Sequence, residues 1–419
     1  MANMIFAQSD GQWFDFPGLE LAAMSGNMML RAGRKEMITL PEGATLTMMP
    51  MAKPWGFDRQ TGQFKALEYN PYEKKDQPVW AMAALLPQGF TRTLLPAALP
   101  SANPLPLLGY TAVGIEKNRL VVAAVQTDAH EDWHPQKYNT ADLPNLVTLR
   151  QKQFPQNRII RQLAFCAENY GCFTAQNIFY RRKEGGIPVS PVCNADCIGC
   201  ISSQPSQCCP SPQQRIDFVP TVREVVEIAV PHLQKKDTII SFGQGCEGEP
   251  TQQADLLAAA IKEIRQLTNQ SMININTNAG DSRAIEKICA AGVDSLRISL
   301  FSPIDKEYQQ YHRPHYQFSD VCRSLAVAKR YNVSVSLNLL TYPGFTDRRT
   351  RLEALMDLVD KYSVRQIQLR NLNIDPRIMN EQFCDDLPGL GILYMLDYIK
   401  KAAPDLYIGN YSRRLDNKK

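Results

Sequence analysis

Long apolar runs, net charge and histidine are all scarce in this sequence. No uninterrupted apolar stretch approaches the roughly 20 residues that a membrane-spanning helix needs, so a helical membrane protein is excluded. Forty-six basic against 42 acidic side chains leave a formal charge of +4, too weak to indicate nucleic acid as a partner. Met1 to Glu20 has no basic stretch before an apolar core, so no secretory signal is expected and the chain reads as cytoplasmic. There are five histidines, His130, His134, His232, His312 and His315. Cysteine is absent from the first 165 residues. With 44% hydrophobic and 21% charged residues over 419 positions, the composition is globular. At roughly 150 residues per domain the length suggests two or three domains.

The cysteines that do occur are crowded. Eight of the 11 fall between Cys166 and Cys246, and Cys289, Cys322 and Cys384 are scattered after them. Disulfides do not persist in a reducing compartment, so clustered cysteines there more often hold metal or do chemistry.

Two regimes follow one another along the chain. Residues 1–180 are expected to form a mixed, β-leaning α+β region that recruits or shapes a substrate, and this stretch holds all four tryptophans. Met37–Leu40 and Ala44–Met48 read as two strands about a Pro-Glu-Gly turn, and Ala112–Ile115 with Arg119–Val125 as another hairpin. Prolines 96, 100, 104 and 106 read as a stiff connector. A helix is predicted near Arg158–Glu168.

Residues 181–380 alternate regularly. β-rich runs at Ile187–Val192, Thr238–Phe242, Met272–Thr277, Ser295–Leu300, Val333–Leu340 and Gln366–Leu372 alternate with helical-period segments at Val222–Gln234, Gln253–Leu267, Ser282–Ala291, Phe318–Tyr331 and Arg349–Tyr362. Strand then helix, repeated, means parallel strands joined by crossover helices. Six strands are too few for a closed eight-fold barrel, and periodicity leaves a doubly wound sheet and a partial barrel both open. In either, function sits on the loops after the C-terminal strand ends. Residues 381–419 read as a helical tail.

The loop after the first strand reads Cys193-Asn-Ala-Asp-Cys197-Ile-Gly-Cys200. Three thiolates on one compact loop can hold a metal or cluster and leave a coordination position open. Structural zinc more often uses four closed ligands in paired CxxC form, and ferredoxin spacing is also different.

Three cysteines so spaced, after the first strand of a repeating β/α unit, resemble the radical S-adenosylmethionine (radical SAM) enzymes over about residues 185–376. The resemblance implies an α/β fold with a partial (β/α)6 barrel. It also implies a [4Fe–4S] cluster on Cys193, Cys197 and Cys200, with S-adenosylmethionine (SAM) chelating the fourth iron. Gly243-Gln-Gly-Cys-Glu-Gly248-Glu249-Pro is similar to the family's Gly-Gly-Glu-Pro element, with Glu247 in place of its first glycine. This implies that Gly248 and a carboxylate, Glu249 in preference to Glu247, meet the methionine ammonium. Asn276 and Asn278 match the ribose-contacting segment. Arg297 and Ser299 match residues near the SAM carboxylate, and Asn338 is a polar residue in an apolar run that should face the lumen. An aromatic residue often precedes the family's third cysteine. Here that position is Gly199, so adenine packing is expected from Ile198 or from residues 366–373.

The implied chemistry is reductive cleavage of SAM to methionine and a 5′-deoxyadenosyl radical, which takes a hydrogen atom from an unidentified substrate. The cofactor performs the hard step and the protein orients it, so few histidines are needed. His312 and His315, placed in a loop after the fourth strand, read as surface polar residues in preference to a lining of the substrate side. Reduced flavodoxin or ferredoxin is the electron donor that the family implies.

Cys166, Cys172, Cys208, Cys209 and Cys246 leave three readings open: ligands of an auxiliary cluster, a thiol that donates a hydrogen atom, or plain thiols. Only Cys322 and Cys384 follow residue 300, so the Cys-rich extension of many peptide-modifying members is not expected. Two other classes stay in view. One is a non-catalytic iron–sulfur protein for electron transfer or sensing, and the other a zinc scaffold with Cys208 as fourth ligand.

Overall fold

The computed structural model describes residues 1–73, 77–99, 104–129, 131–202 and 214–413. Residues 3–126 build an antiparallel sheet system of 13 strands. The expected hairpin is there: Val113–Glu116 pairs with Arg119–Gln126, Val113 opposite Val122. Its two-residue loop, Lys117-Asn118, has positive φ at both positions, the geometry that matches strand twist in a tight hairpin. The other expected hairpin does not form. Met37–Thr39 pairs with the strand at 119–126, while Thr45–Met49 pairs with Trp80–Leu85. A local turn signal was outweighed by burial against non-local partners. The proline-rich connector contributes two short strands, Leu95–Pro96 and Ala98–Leu99.

Three helices follow, α1 (Leu143–Gln153), α2 (Arg158–Asn169) and α3 (Phe173–Tyr180). Asn157 caps α2, accepting a hydrogen bond from Ile160 N at 3.0 Å. Their buried faces share one hydrophobic core with the parallel sheet that comes next.

That sheet has seven strands in sequential order, all parallel: Glu184–Gly186, Ile239–Phe242, Met272–Thr277, Ser295–Leu300, Ser334–Thr341, Gln366–Asn371 and Tyr407–Gly409. It curls into a half-barrel open at both edges, as sequential strands joined by right-handed crossovers do. The crossovers are α4 (Val222–Leu233), α5 (Ala254–Leu267), α6 (Ser282–Ala291), α7 (Asp305–His312) with α8 (Phe318–Arg330), and α9 (Arg349–Tyr362). α10 (Pro376–Phe383) and α11 (Ile392–Ala402) lead to the last strand. Among the described residues no helix is long and apolar enough to cross a membrane.

Three features depart from expectation. The first strand lies at 184–186 rather than 187–192, where Glu-Gly-Gly shows no strand propensity. A Cβ on Gly185 would sit 2.3 Å from Ile178 Cδ1 and one on Gly186 2.6 Å from Gln244 Cγ, so close packing selects glycine there. A seventh strand, Tyr407–Gly409, lies inside the stretch read as a helical tail. Finally, His312 is not a loop residue; it ends α7 and is buried, whereas His315 is exposed as expected.

Alternation along the strands separates two environments. Ile273, Ile275, Leu296, Ile298, Val335, Leu337, Ile367 and Leu369 point outward into the core beneath the helices. Each such side chain, fully buried, contributes roughly 1.5–3 kcal/mol. The intervening residues are polar and bond to one another. Ser241 Oγ donates to Glu184 Oε1 (2.6 Å), Asn274 Nδ2 to Ser241 Oγ (3.0 Å) and to Asn276 Oδ1 (2.8 Å), and Ser295 Oγ to Asn274 Oδ1 (2.8 Å).

The β-rich region is fastened to the far edge of this sheet. The fully buried Arg92 guanidinium donates to the carbonyls of Leu372 (2.8 Å), Thr341 (3.2 Å) and Tyr110 (3.2 Å). Asn371 Oδ1 accepts from Arg92 N, and Asp375 Oδ2 accepts from Leu105 N, each at 2.9 Å.

Candidate active site

The cysteine loop is held from two sides. Asp196 N donates to His312 O and Ile198 N to Tyr311 O, both at 3.1 Å, so the backbone flanking Cys197 is stitched to the end of α7. His315 N donates to Asn194 O (3.0 Å). On the other side the Gly-Glu-Pro loop runs against residues 190–192, Gly248 N donating to Ser190 O (2.7 Å) and Glu249 N to Val192 O (2.8 Å). A Cβ at 248 would lie 2.0 Å from Val192 O, so only glycine permits this approach.

Cys193, Cys197 and Cys200 are free thiols. Burial pushes Cys193 up from its ordinary value, and burial with the nearby Cys200, Cys193 and Asp196 pushes Cys197 far up. His312 Nδ1 lies 3.2 Å from Cys197 Sγ, and Arg215 Nη2 donates to Cys200 Sγ at 3.4 Å. Among the described residues no three Cys, His, Asp or Glu side chains gather tightly enough for a single metal ion.

Both carboxylates of the second loop are buried and hydrogen-bonded. Glu247 accepts from Val189 N (2.8 Å) and Ser190 N (3.2 Å) on one oxygen, and from Gly243 N and Gln244 N on the other. Glu249 Oε1 accepts from Thr277 Oγ1 (2.6 Å), Thr251 Oγ1 (2.7 Å) and Thr251 N (3.0 Å), and Oε2 from Asn278 N (2.8 Å). Three donors crowd Oε1 while Oε2 accepts one, so Oε2 keeps an acceptor site that these protein donors do not fill. Burial raises the Glu249 carboxyl above its ordinary value, opposed by these donors.

A cavity of about 610 Å³ opens beside these loops. Of the residues singled out in the sequence, Asn276, Arg297, Ser299 and Asn338 line it; Gly248, Glu249 and Asn278 do not. Asn278 instead reaches the cysteine loop, Nδ2 donating to Asn194 Oδ1 at 2.6 Å. Arg297 donates to Gln368 Oε1 (3.0 Å) and Ser412 Oγ (3.2 Å) and lies 3.6 Å from Glu184 Oε1. Asn338 Oδ1 is buried without a partner. Of the segments expected to pack adenine, residues 370–373 line the cavity, whereas Ile198 packs away from it beside Phe301 and Tyr311.

Sequence reasoning missed several lining residues and took in Arg370 only as part of the segment 366–373. Gln244 faces the cavity with its Nε2 buried and unpartnered. Arg370 lines it too, its pKa lowered to about 10 by burial and by Arg297, with no carboxylate within 4 Å among the described residues. The alternation Gln366-x-Gln368-x-Arg370 was the available signal. From the N-terminal half, Gly43, Pro87, Gln88, Trp133 and Pro135 close one side. Nothing local in the sequence announced that contribution. Cys172 also lines the cavity, and Cys166 and Cys246 are both buried in the core. Cys208 and Cys209 lie outside the described residues.

Residues 187–358 match the family model described as the Radical SAM superfamily. That stretch of the chain is similar to a radical SAM domain. No curated protein matches it. Solved structures similar to it include SuiB of Streptococcus suis bound to its precursor peptide SuiA (14% identity, 60% of this chain and 53% of that one, TM-score 0.36). Others are methylornithine synthase PylB (15%, 64% and 74%, TM-score 0.38) and HydG, a maturase of the [FeFe]-hydrogenase (15%, 65% and 63%, TM-score 0.39). The chain thus spans about half the length of the SuiB structure, and likenesses this loose carry no argument of their own.

Proposed function

We propose that the protein binds a [4Fe–4S] cluster through Cys193, Cys197 and Cys200 and holds SAM in the adjoining cavity for hydrogen abstraction from a substrate. The observation that carries this reading is the abutment of the three-cysteine loop on a cavity lined by Asn276, Arg297, Ser299 and Asn338. Cys193, Cys197 and Cys200 would hold the cluster, which would supply the one-electron reduction that cleaves SAM to methionine and a 5′-deoxyadenosyl radical for hydrogen abstraction.

The residues present fit these groups. Cys193 and Cys197 are disfavoured as bare thiolates by burial, and bound cationic iron is what makes buried thiolates tolerable. The unpartnered Asn338 Oδ1 and Gln244 Nε2 offer an acceptor and a donor to a ligand in the cavity. Arg297 supplies a fixed cation for the SAM carboxylate, and Ser299 stands one lumen position further along the strand. Gly248 and Glu249 set the loop that faces the methionine end. Asn276 is proposed for the ribose, and Asn278 joins it by tying that segment to the cysteine loop. Gly43, Pro87, Gln88 and Trp133 of the N-terminal half narrow the opening, which suits a region that shapes substrate access. Electrons are proposed to come from reduced flavodoxin or ferredoxin.

The test is anaerobic. Protein reconstituted with iron and sulfide is given SAM and dithionite, and 5′-deoxyadenosine is measured by mass spectrometry. It is expected only with intact cysteines, with Cys197→Ala losing both the brown cluster and the product. A full cluster that neither binds nor cleaves SAM would give precedence to an electron-transfer protein.

A further inference from the structure

His312 is the most constrained polar group near the cysteine loop that the assignments above leave without a part. It is buried at the end of α7, and its ring is fixed between Tyr308 (centroids 4.2 Å apart) and Tyr311 (5.0 Å, edge-on). One ring nitrogen, Nδ1, has a neighbour, the Cys197 sulfur at 3.2 Å; the other, Nε2, is buried with no partner. Burying an imidazole with an orphaned nitrogen costs free energy, so a group kept in that state calls for an explanation. Surface polarity is not one, and neither is capping, since the loop is already stitched to α7 through the carbonyls of Tyr311 and His312.

We propose that His312 is a positioning residue that donates Nδ1–H to the Cys197 sulfur and raises the reduction potential of the cluster the loop holds. The inference rests on the cluster assignment given above. An iron-bound thiolate has no proton and can only accept, which selects the tautomer with hydrogen on Nδ1 and leaves Nε2 a bare acceptor. One-electron reduction adds one negative charge to the cluster, part of which falls on the cysteine sulfurs, while no bond forms or breaks in the protein. A donor aimed at one of those sulfurs stabilises the reduced form more than the oxidised one. Arg215, donating to Cys200 Sγ, acts in the same direction on a second sulfur.

The experiment is a redox titration of the reconstituted holoenzyme followed by electron paramagnetic resonance, with iron and sulfide analysed in every sample. Three variants are compared: His312→Asn, whose amide N–H falls at the Nδ1 position, His312→Gln, whose amide falls at the Nε2 position, and His312→Phe, which has no donor. His312→Phe and His312→Gln are expected to hold the full cluster and to show a reduced-to-oxidised ratio about tenfold below wild type at a fixed potential, equivalent to about 59 mV for one electron. His312→Asn should recover most of that difference. If Gln and Asn titrate alike, or if both match wild type, the proposal is overturned. Should Phe fail to assemble a cluster, the Asn–Gln comparison decides. A wild-type protein that binds no cluster would instead remove the cluster assignment, an outcome seen in the iron analysis before any titration.

Discussion

At Gly199 an added Cβ would lie 2.5 Å from the buried Tyr311 hydroxyl and 2.7 Å from the Asn373 carbonyl oxygen. This explains why the position before the third cysteine carries no aromatic side chain: α7 and the end of the sixth strand already occupy the space. Gly199→Ala should therefore destabilise the protein by about 1–3 kcal/mol in urea unfolding, and a value within error of wild type would contradict the packing argument. Gly243 is more severe, with φ at +83° and an added Cβ only 1.9 Å from the Asn276 carbonyl oxygen. Glu249 works differently. Its removal strands the buried N–H groups of Thr251 and Asn278, which nothing else in their surroundings accepts. Glu249→Ala is expected to cost about 2–4 kcal/mol of stability. It should also lower SAM affinity at least about tenfold in equilibrium binding while iron content stays unchanged. Unaltered SAM affinity would move the ammonium contact away from Glu249, to Glu247 or to backbone groups.

At the scale of elements, His232 shows how a buried histidine joins two of them. It lies on α4, its Nε2 is 2.9 Å from the Lys183 carbonyl oxygen just before the first strand, and burial lowers its pKa to about 4. The unfolded chain takes up this proton near pH 6.5. Between about pH 6.5 and 4 the unfolded state therefore binds more protons than the folded one, so stability falls with pH through that window. The loss reaches about 3 kcal/mol at the acid end. His232→Gln can keep the hydrogen bond without titrating, and its urea midpoint should be flatter across the same window; an identical acid slope would assign the effect elsewhere. The strands and crossover helices around this contact were largely legible, because Asn274-Ile-Asn276, Ser295-Leu-Arg297-Ile-Ser299 and Gln366-Ile-Gln368-Leu-Arg370 write lumen and core in alternate letters. The first strand was not legible, because its glycines answer to Ile178 and Gln244. Nor was the burial of His312, since α7 is mostly polar and only tyrosines three apart, Tyr308 and Tyr311, mark an inward face. What hides His312 is the cysteine loop, more than 100 residues earlier in the chain.

For the molecule as a whole, the question is whether the β-rich region and the half-barrel form one cooperative unit. The cavity needs both, since Gly43, Pro87, Gln88 and Trp133 face Arg297, Asn338 and Arg370 across it. Their join combines polar bonds with an apolar patch, in which Leu95 shares a buried cluster with Phe301, Tyr342 and Leu372. Arg92 alone spans three carbonyls, two of them on the fifth strand and just past the sixth, and Asn371 answers with Oδ1 to Arg92 N and Nδ2 to Phe90 O. Thr127 Oγ1 adds a bond to Asn410 Oδ1 at 2.6 Å near the seventh strand. Replacing Arg92 by methionine keeps most of the apolar stem but leaves buried carbonyls unsatisfied, a loss of about 3 kcal/mol. Because two of the three carbonyls belong to the half-barrel, most of that loss falls on the join and should uncouple the halves. All four tryptophans lie before residue 134 and, among the described residues, every α-helix begins after residue 142. Trp13, Trp55 and Trp80 thus watch the β-rich region and helical circular dichroism the other half. The fluorescence is read in a Trp133→Phe background, because Trp133 stacks on Tyr411 past the seventh strand (5.1 Å). In the wild type the two urea transitions should coincide, as expected of a single cooperative unit. In Arg92→Met the fluorescence transition should move to lower urea and separate from the helical one. Coincident transitions in the variant would mean that the shared wall of the cavity, rather than Arg92, carries the coupling.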